Sequence, residues 1–557
     1  MFLALALTLC ATEPARLWPA FPTPSSLLVL DWSRCHGFGE QVLAQTLSGV
    51  AAAAARETGA GELVWLDHPG NASYVEWKTR LLARLKIRAD ERQFEPWTLL
   101  EHLKATGVVK GYVLYQPEGG TREVYEGTPA DDSLNLATSL CAPLRAVALS
   151  PDLAPRAEAL GLTCLADARG KDAAWLLAGW GDKLSTAVLG LQDPKTPIMR
   201  DAAVGMGAWT VHGGALMGPA AARVATGSPV LGWGFGGEDS FTGAASRQGL
   251  FITATNWCWN LPATACGPAP TLPRLNPPSE PADDEPDRRY LSFILSDGDN
   301  VQWTMGAYLH NKDFYAQPER GQMAFGWGLP AVDLAQLCPM ALDYLAETRR
   351  PKDDFVLYGA GGYYYPDQFG SARGDTEAVA RHARRLDPYL SRLGISTMAL
   401  IGMDWDSDAS RAAYRAYAAE MPSVKAIWAL QYAPYSAGGG EVIWTPRPGG
   451  GEMPVVSARG ELWAHRGNYA RAGSPAKIAR LLNDWARQPI TKPEDRFGWV
   501  VVHAWSGFWH DEPQERQEGR GDHGLRPALW CAEALDPAIR VVGPEELATR
   551  LVRAHRR

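Results

Sequence analysis

At 557 residues the chain is too long for one hydrophobic core, so two or three domains are expected. Its 46% hydrophobic and 21% charged residues are ordinary for a globular protein, and a net charge of -8 with no basic block argues against nucleic acid as a partner. The excess lies in 22 Trp and 18 Tyr. Beside acids, such rings present the flat apolar surface on which the C–H face of a pyranose stacks, although many of them must fill cores.

In chain order, Met1 to Cys10 (MFLALALTLC), followed by Ala11-Thr12 and a proline-bearing tract, resembles the apolar region of a secretory signal over residues 1–22, without its basic leader. The run is too short to span a bilayer, so a secreted or periplasmic protein with no transmembrane segment is expected. A lipidated Cys10 is disfavoured by the bulk of Leu9. The other seven cysteines are scattered without metal-ligand spacing, and Cys258 and Cys266 are the pair best suited to any disulfide.

Residues 23–266 read as an N-terminal α/β region. Leu27–Asp31, Glu62–Leu66, Gly111–Tyr115 and Arg145–Leu149 are short apolar strands, and Gln41–Arg56 is an Ala-rich helix, a pattern of parallel βαβ units. No glycine-rich dinucleotide fingerprint opens a helix, so no cofactor is expected. Asp31, His36, Asp67 and His68 follow strand ends without convergent partners and read as structural. Val230–Asp239 and Phe251–Asn260 are Gly- and Trp-rich edges facing a cleft; Asn256 and Asn260 there either bind sugar hydroxyls or, the favoured reading, cap turns.

Seven prolines and an acidic cluster mark 267–289 as a linker and a domain boundary. Residues 290–557 then repeat the α/β alternation: strands at Tyr290–Leu295, Met323–Gly328, Phe355–Tyr358, Thr397–Ile401, Ala426–Leu430, Pro454–Ser457 and Trp499–Ala504, helices such as Asp333–Glu347, Thr376–Leu393 and Ser410–Ala419, and an eighth unit at Ile539–Val542 with Pro544–Val552. Seven or eight units in this length predict a (β/α) barrel-like domain, with reactive residues at the carboxyl ends of its strands.

The stretch that organises this domain is Leu357-Tyr358-Gly359-Ala360-Gly361-Gly362-Tyr363-Tyr364-Tyr365-Pro366-Asp367. An apolar strand stops at glycines, where no Cβ blocks close approach, and releases three tyrosines; a sugar-binding edge and a tyrosine-rich packed turn are both consistent with it. With Leu291 to Trp303 upstream, containing Ser296-Asp297-Gly298-Asp299-Asn300, the motif resembles the bacterial GxGYxYP putative glycoside hydrolases. One position departs: Ala360 stands where the family name has its first glycine. The resemblance implies the glycosidase class.

Glycosidic cleavage requires two carboxyl groups flanking the scissile bond, one protonated and one ionised. Asp297 and Asp299, at the end of the first barrel strand, supply one member, or else they form an Asx turn. Glu461 is the other candidate, with Asp404 in reserve; a salt bridge to Arg459 competes for Glu461, and simple solvation for Asp404 and Asp406. Tyr363, Tyr365, Trp327 and Trp505 are the expected platforms, with His503 and Asn300 as polar contacts, His503 equally readable as a hydrogen-bonded core residue. Two other classes stay open. Asp297 and Asp299 with His503 and His510 could hold a divalent ion in a deacetylase, though no tight His-x3-His pair exists; a non-catalytic glycan-binding protein would use the same acids for hydroxyls. No GxSxG elbow or phosphate loop occurs.

Overall fold

The computed structural model describes residues 14–68, 71–117, 131–212, 219–234, 236–278, 280–281, 285–464, 466, 469–510 and 521–556. Most of the expected export signal, together with Phe235, Asp283, Asp284 and Asp511, lies outside the described residues. Among the described residues no helix is long and apolar enough to cross a membrane.

The N-terminal region carries three small parallel sheets. Strands β1 (Ser26–Asp31), β2 (Glu62–Asp67) and β3 (Ala89–Phe94) pair in the order β2-β1-β3. Strands β4 (Gly111–Leu114), β5 (Ala146–Leu149) and β6 (Thr163–Asp167) pair as β5-β4-β6. Strands β7 (Leu189–Leu191), β8 (Trp209–Val211), β9 (Pro229–Gly232) and β10 (Phe251–Thr253) pair as β10-β9-β7-β8. The helix Gly37–Thr58 packs against β2, β5 and the helices Pro96–Ala105, Ser133–Leu144 and Arg200–Met206. Enclosed on so many sides, it has no room for long side chains, which accounts for its run of alanines.

The C-terminal region is organised by one curled sheet. Strands β11 (Arg289–Leu295), β12 (Phe325–Leu329), β13 (Asp353–Tyr358), β14 (Thr397–Gly402) and β15 (Ala426–Gln431) lie side by side in chain order and parallel. The hairpin β16 (Val442–Pro446) and β17 (Glu452–Ser457) follows, β17 pairing with β15. After a break at Ala458 and Arg459 the chain continues as β18 (Gly460–Leu462), which pairs with β19 (Ala472–Gly473) and with β20 (Phe497–Val502); β20 in turn pairs with β11. The eighth expected unit does supply a strand, β21 (Ile539–Val541), but it does not lie between β20 and β11. It pairs with Arg289–Leu291, at the start of β11, while β12 meets β11 at Ile294.

Strand alternation divides the apolar residues into two cores. Tyr290, Ile294, Val356, Tyr358, Ala399, Ile401, Trp428 and Trp499 fill the inside of the curl. Leu291, Phe293, Leu295, Trp327, Leu357 and Leu400 pack outward into the large core shared with the N-terminal region. At the strand starts, the helix Pro544–His555 lays Leu547, Ala548, Leu551 and Ala554 against the interior and touches β11, β13, β14 and β17. One end is thereby plugged, and the carboxyl ends remain as the side open to a ligand.

Among its described residues the proline-rich 267–289 segment has no helix before β11 begins, and it is not free of the body: Leu275 and Asn276 are buried, and Asn276 bonds both the N–H and the C=O of Phe355 at 2.9 and 2.7 Å. Cys258 and Cys266 are both buried free thiols.

Candidate active site at the strand ends

The turn that follows β11 can fold inward because its neighbour β12 has glycines on the inner face. A Cβ on Gly298 would stand 2.2 Å from the carbonyl carbon of Gly328. Asp297 is held at φ 60°, a left-handed conformation that few non-glycine residues adopt. Its Oδ1 accepts the Trp505 indole N–H at 2.8 Å and its Oδ2 accepts the Ser296 hydroxyl. Asp299 is only 8% exposed and faces the cavity; burial, with like charge from Asp297 behind it, pushes its carboxyl up to about 8. The side chain of Asn300 lines the cavity and also caps the next turn, accepting from the N–H of Trp303 at 3.1 Å.

The second support is the turn after β13. Gly359, Ala360, Gly361 and Gly362 all have positive φ, from 51° at Ala360 to 118° at Gly362. A Cβ on Gly362 would lie 2.2 Å from the Phe251 ring, so glycine here lets the turn press against β10. The contact is a backbone bridge: Ile252 and Tyr363 exchange N–H···O=C bonds of 2.9 and 2.7 Å. Tyr363 is thereby fixed between the two regions, and its hydroxyl donates to Glu238 Oε1 at 2.6 Å. Glu238 opens the helix Glu238–Arg247. Burial pushes its carboxyl up to about 7, with the Tyr363 bond acting in the opposite sense. Trp233 lies parallel to Tyr363, 6.0 Å between ring centres.

These residues enclose a cavity of about 180 Å³. Asp297, Asp299, Asn300 and Gln302 come from the β11 turn and its sequel, Tyr358, Tyr363, Ile401, Tyr435 and Trp505 from other strand ends, and Trp233, Glu238 and Trp257 from the N-terminal region. Trp257 is half exposed, and its N–H donates to Gln302 Oε1 at 2.7 Å, which ties it to the rim.

Of the residues singled out in the sequence, Asp297, Asp299, Asn300, Tyr363 and Trp505 meet at this cavity. Tyr365 is fully buried behind it, edge-on to Tyr363 at 5.8 Å. Trp327 faces the opposite way: strand alternation directs it into the outer core, where its indole bonds Asp353 at 3.0 Å. Glu461 has no exposure, and its Oε1 accepts the N–H and hydroxyl of Ser436 at 2.5 and 2.6 Å; the 435–436 loop covers it. Asp404 is exposed at a neighbouring strand end, its Oδ1 accepting from the N–H of Asp406 at 3.2 Å. His503 stacks on Trp463 at 4.1 Å and shares a 2.9 Å hydrogen bond with Ser506; burial lowers it to about 4, so the ring is neutral near pH 7. His510 is exposed beside Trp530. Asn260 is fully buried, and its side chain clips both backbone groups of Leu66 rather than capping the turn. Among the described residues, no His, Cys, Asp and Glu side chains form a group of three or more able to hold a metal ion.

Glu238 went unassigned in the sequence. Its stretch, Val230–Asp239, was legible as a cleft edge, but nothing along the chain links it to Tyr363, 125 residues later. Tyr358 and Tyr435 carried no signal beyond their places at strand ends.

Residues 287–511 match the model of the GxGYxYP putative glycoside hydrolase C-terminal domain, and residues 109–184 match that of the GxGYxYP_N second domain. The crystal structure of a putative hydrolase from Bacteroides thetaiotaomicron VPI-5482 is similar over 98% of each chain, with a TM-score of 0.76 and 21% identity, a likeness that shows a shared fold. No curated protein matches the chain.

Proposed function

We propose, from the premise that this chain belongs to the GxGYxYP putative glycoside hydrolase family, that it cleaves glycosidic bonds in an oligo- or polysaccharide by carboxyl acid/base catalysis in the cavity described above. The observation that carries this reading is that Asp297 and Asp299, two residues apart, sit in unlike environments. Asp299 is buried and keeps its proton to about pH 8, so it can protonate the leaving oxygen. Asp297 accepts hydrogen bonds from Trp505 and Ser296, which aim its carboxyl group for the role of base or nucleophile. The Glu238–Tyr363 pair then positions a ring hydroxyl, and Trp233, Trp257 and Trp505 provide stacking surfaces. A secreted or periplasmic location, read from the apolar run at Met1 to Cys10, is part of the proposal.

The test is a screen for reducing-end release across bacterial and plant polysaccharides, run with the wild type, Asp297→Asn and Asp299→Asn. A substrate cleaved by the wild type and by neither variant supports the reading. Full activity in Asp299→Asn would remove the proposed acid. Glycan binding without any turnover would make the protein a binding module instead.

A further inference from the structure

We infer that the glycosyl unit this cleft accepts carries no anionic group: it is a neutral or amine-bearing sugar, not a uronate or a sulfated one. The inference rests on the reading of the cavity as a glycan site and narrows its substrate class.

The charge pattern of the cavity is one-sided. Three carboxyl groups line it, Glu238, Asp297 and Asp299, and among the described lining residues there is no Lys, Arg or His. The other titratable groups facing it are the hydroxyls of Tyr358, Tyr363 and Tyr435. Behind that wall, His503 stacks on Trp463 and the Arg466 guanidinium lies over the same ring, 4.8 Å from its centre. Trp463 thus packs against the Arg466 guanidinium, and His503 on the same ring is neutral near pH 7. A sugar carboxylate or sulfate entering the cavity would lose its water with no cation among the described lining residues to compensate. A sugar amine would instead find the carboxyl oxygens of these three residues as hydrogen-bond acceptors.

A second feature, independent of the acids, indicates that the cavity is shaped for a polar ligand. Tyr358 is 1% exposed and lines the cavity; its hydroxyl oxygen faces the backbone N–H of Asp297, while its proton meets no acceptor among the described residues. A buried hydroxyl left in that state costs free energy unless a ligand or water pairs with it, and a ring hydroxyl or the ring oxygen of a sugar is such a partner. An uncharged polar ring therefore satisfies both features.

The experiment titrates the full chain with matched monosaccharides, glucose, glucosamine and glucuronate in one series and galactose, galactosamine and galacturonate in the other. Binding is read by tryptophan fluorescence at pH 6, since Trp233, Trp257 and Trp505 line the cavity. In whichever series binds, the neutral sugar is expected to bind at least about tenfold more tightly than the uronate, and the amino sugar at least as tightly as the neutral one. At pH 9, where Glu238 and Asp299 are ionised, the gap between neutral sugar and uronate should widen. A uronate that binds as tightly as its neutral counterpart overturns the inference while leaving the glycosidase reading intact. Absence of binding in both series overturns the inference and the glycan site together.

Discussion

Acids stand at strand ends in both halves of the molecule, and they behave differently. In the N-terminal region Asp31 and Asp67 close β1 and β2, two strands of a small open sheet. Asp31 bonds the Ser33 hydroxyl at 2.6 Å and pairs with Arg34, and Asp67 pairs with Lys78 at 3.4 Å. The Ser33 hydroxyl, with its N–H and Arg34, holds Asp31 below the usual carboxylate range. In the C-terminal region the sheet curls, so that the turn carrying Asp297 and Asp299 faces residues from other strand ends and from the N-terminal wall. Asp299 is consequently pushed up rather than down. Curvature, not residue type, separates a capping acid from a reactive one: an open edge leaves Asp31 and Asp67 beside basic side chains, and the curled rim buries Asp299 next to other acids.

The sharpest way to break this comparison is to neutralise one acid of each kind. Asp299→Asn should lower kcat by about 10²–10⁴-fold, the range of a lost general acid, without lowering the melting temperature, because a buried carboxyl is replaced by a neutral isostere. Asp67→Asn should leave kcat within about twofold, as expected for an exposed ion pair. Equal losses in steady-state assays of the two variants would refute the distinction.

Proton linkage gives opposite signs for the two kinds of acid. The unfolded chain releases the proton of Asp299 near the ordinary carboxylate range, whereas the fold retains it to about pH 8, and that of Glu238 to about pH 7. The unfolded state therefore binds fewer protons between these limits, and their contribution to stability falls as pH rises through that window. Asp31, with its folded value depressed, contributes stability above the unfolded value that is lost on acidification. Urea midpoints measured from pH 5 to 9 should decline less steeply in Asp299→Asn than in the wild type, and activity should fall on the alkaline side near pH 8.

A smaller effect is expected at the seam between the regions. Tyr363→Phe keeps the ring against Trp233 but removes the hydrogen bond to Glu238, a loss of about 1–2 kcal/mol, or roughly tenfold in kcat/KM. Without that bond the Glu238 carboxyl should titrate higher still, which shifts the pH profile. The smallest effect lies in the turn itself. Ala360 stands at φ 51°, so Ala360→Gly should stabilise the fold by about 0.5–1 kcal/mol in a urea melt, with kinetics unchanged.

What the sequence made legible follows the range over which its signals act. Local apolar runs located β11 to β15 and β20, and the Gly-Tyr turn and the Asp-Gly-Asp turn stood out because glycine and acids punctuate apolar strands. Which face a residue occupies requires knowing the direction of curl, so Trp327 looked like a platform and belongs to the outer core. Glu461 points toward the interior beside Val501, its partner in register, but a loop from a different strand covers it, and no local pattern announces that. Glu238 was hidden for the converse reason: its partner Tyr363 is brought to it only by the Ile252 bridge. The extra strand β21 followed its own local signal, while its place beside the start of β11 depends on long-range pairing.

The central claim is that both regions build one reactive cleft, and kinetics of Glu238→Gln in the full chain test it most directly. The account predicts that kcat on a cleaved glycan falls at least about tenfold, and that the pH profile changes near pH 7, while the melting temperature holds. Wild-type kcat and an unaltered pH profile in that variant would show that the N-terminal wall takes no part in the reaction, and would contradict the account.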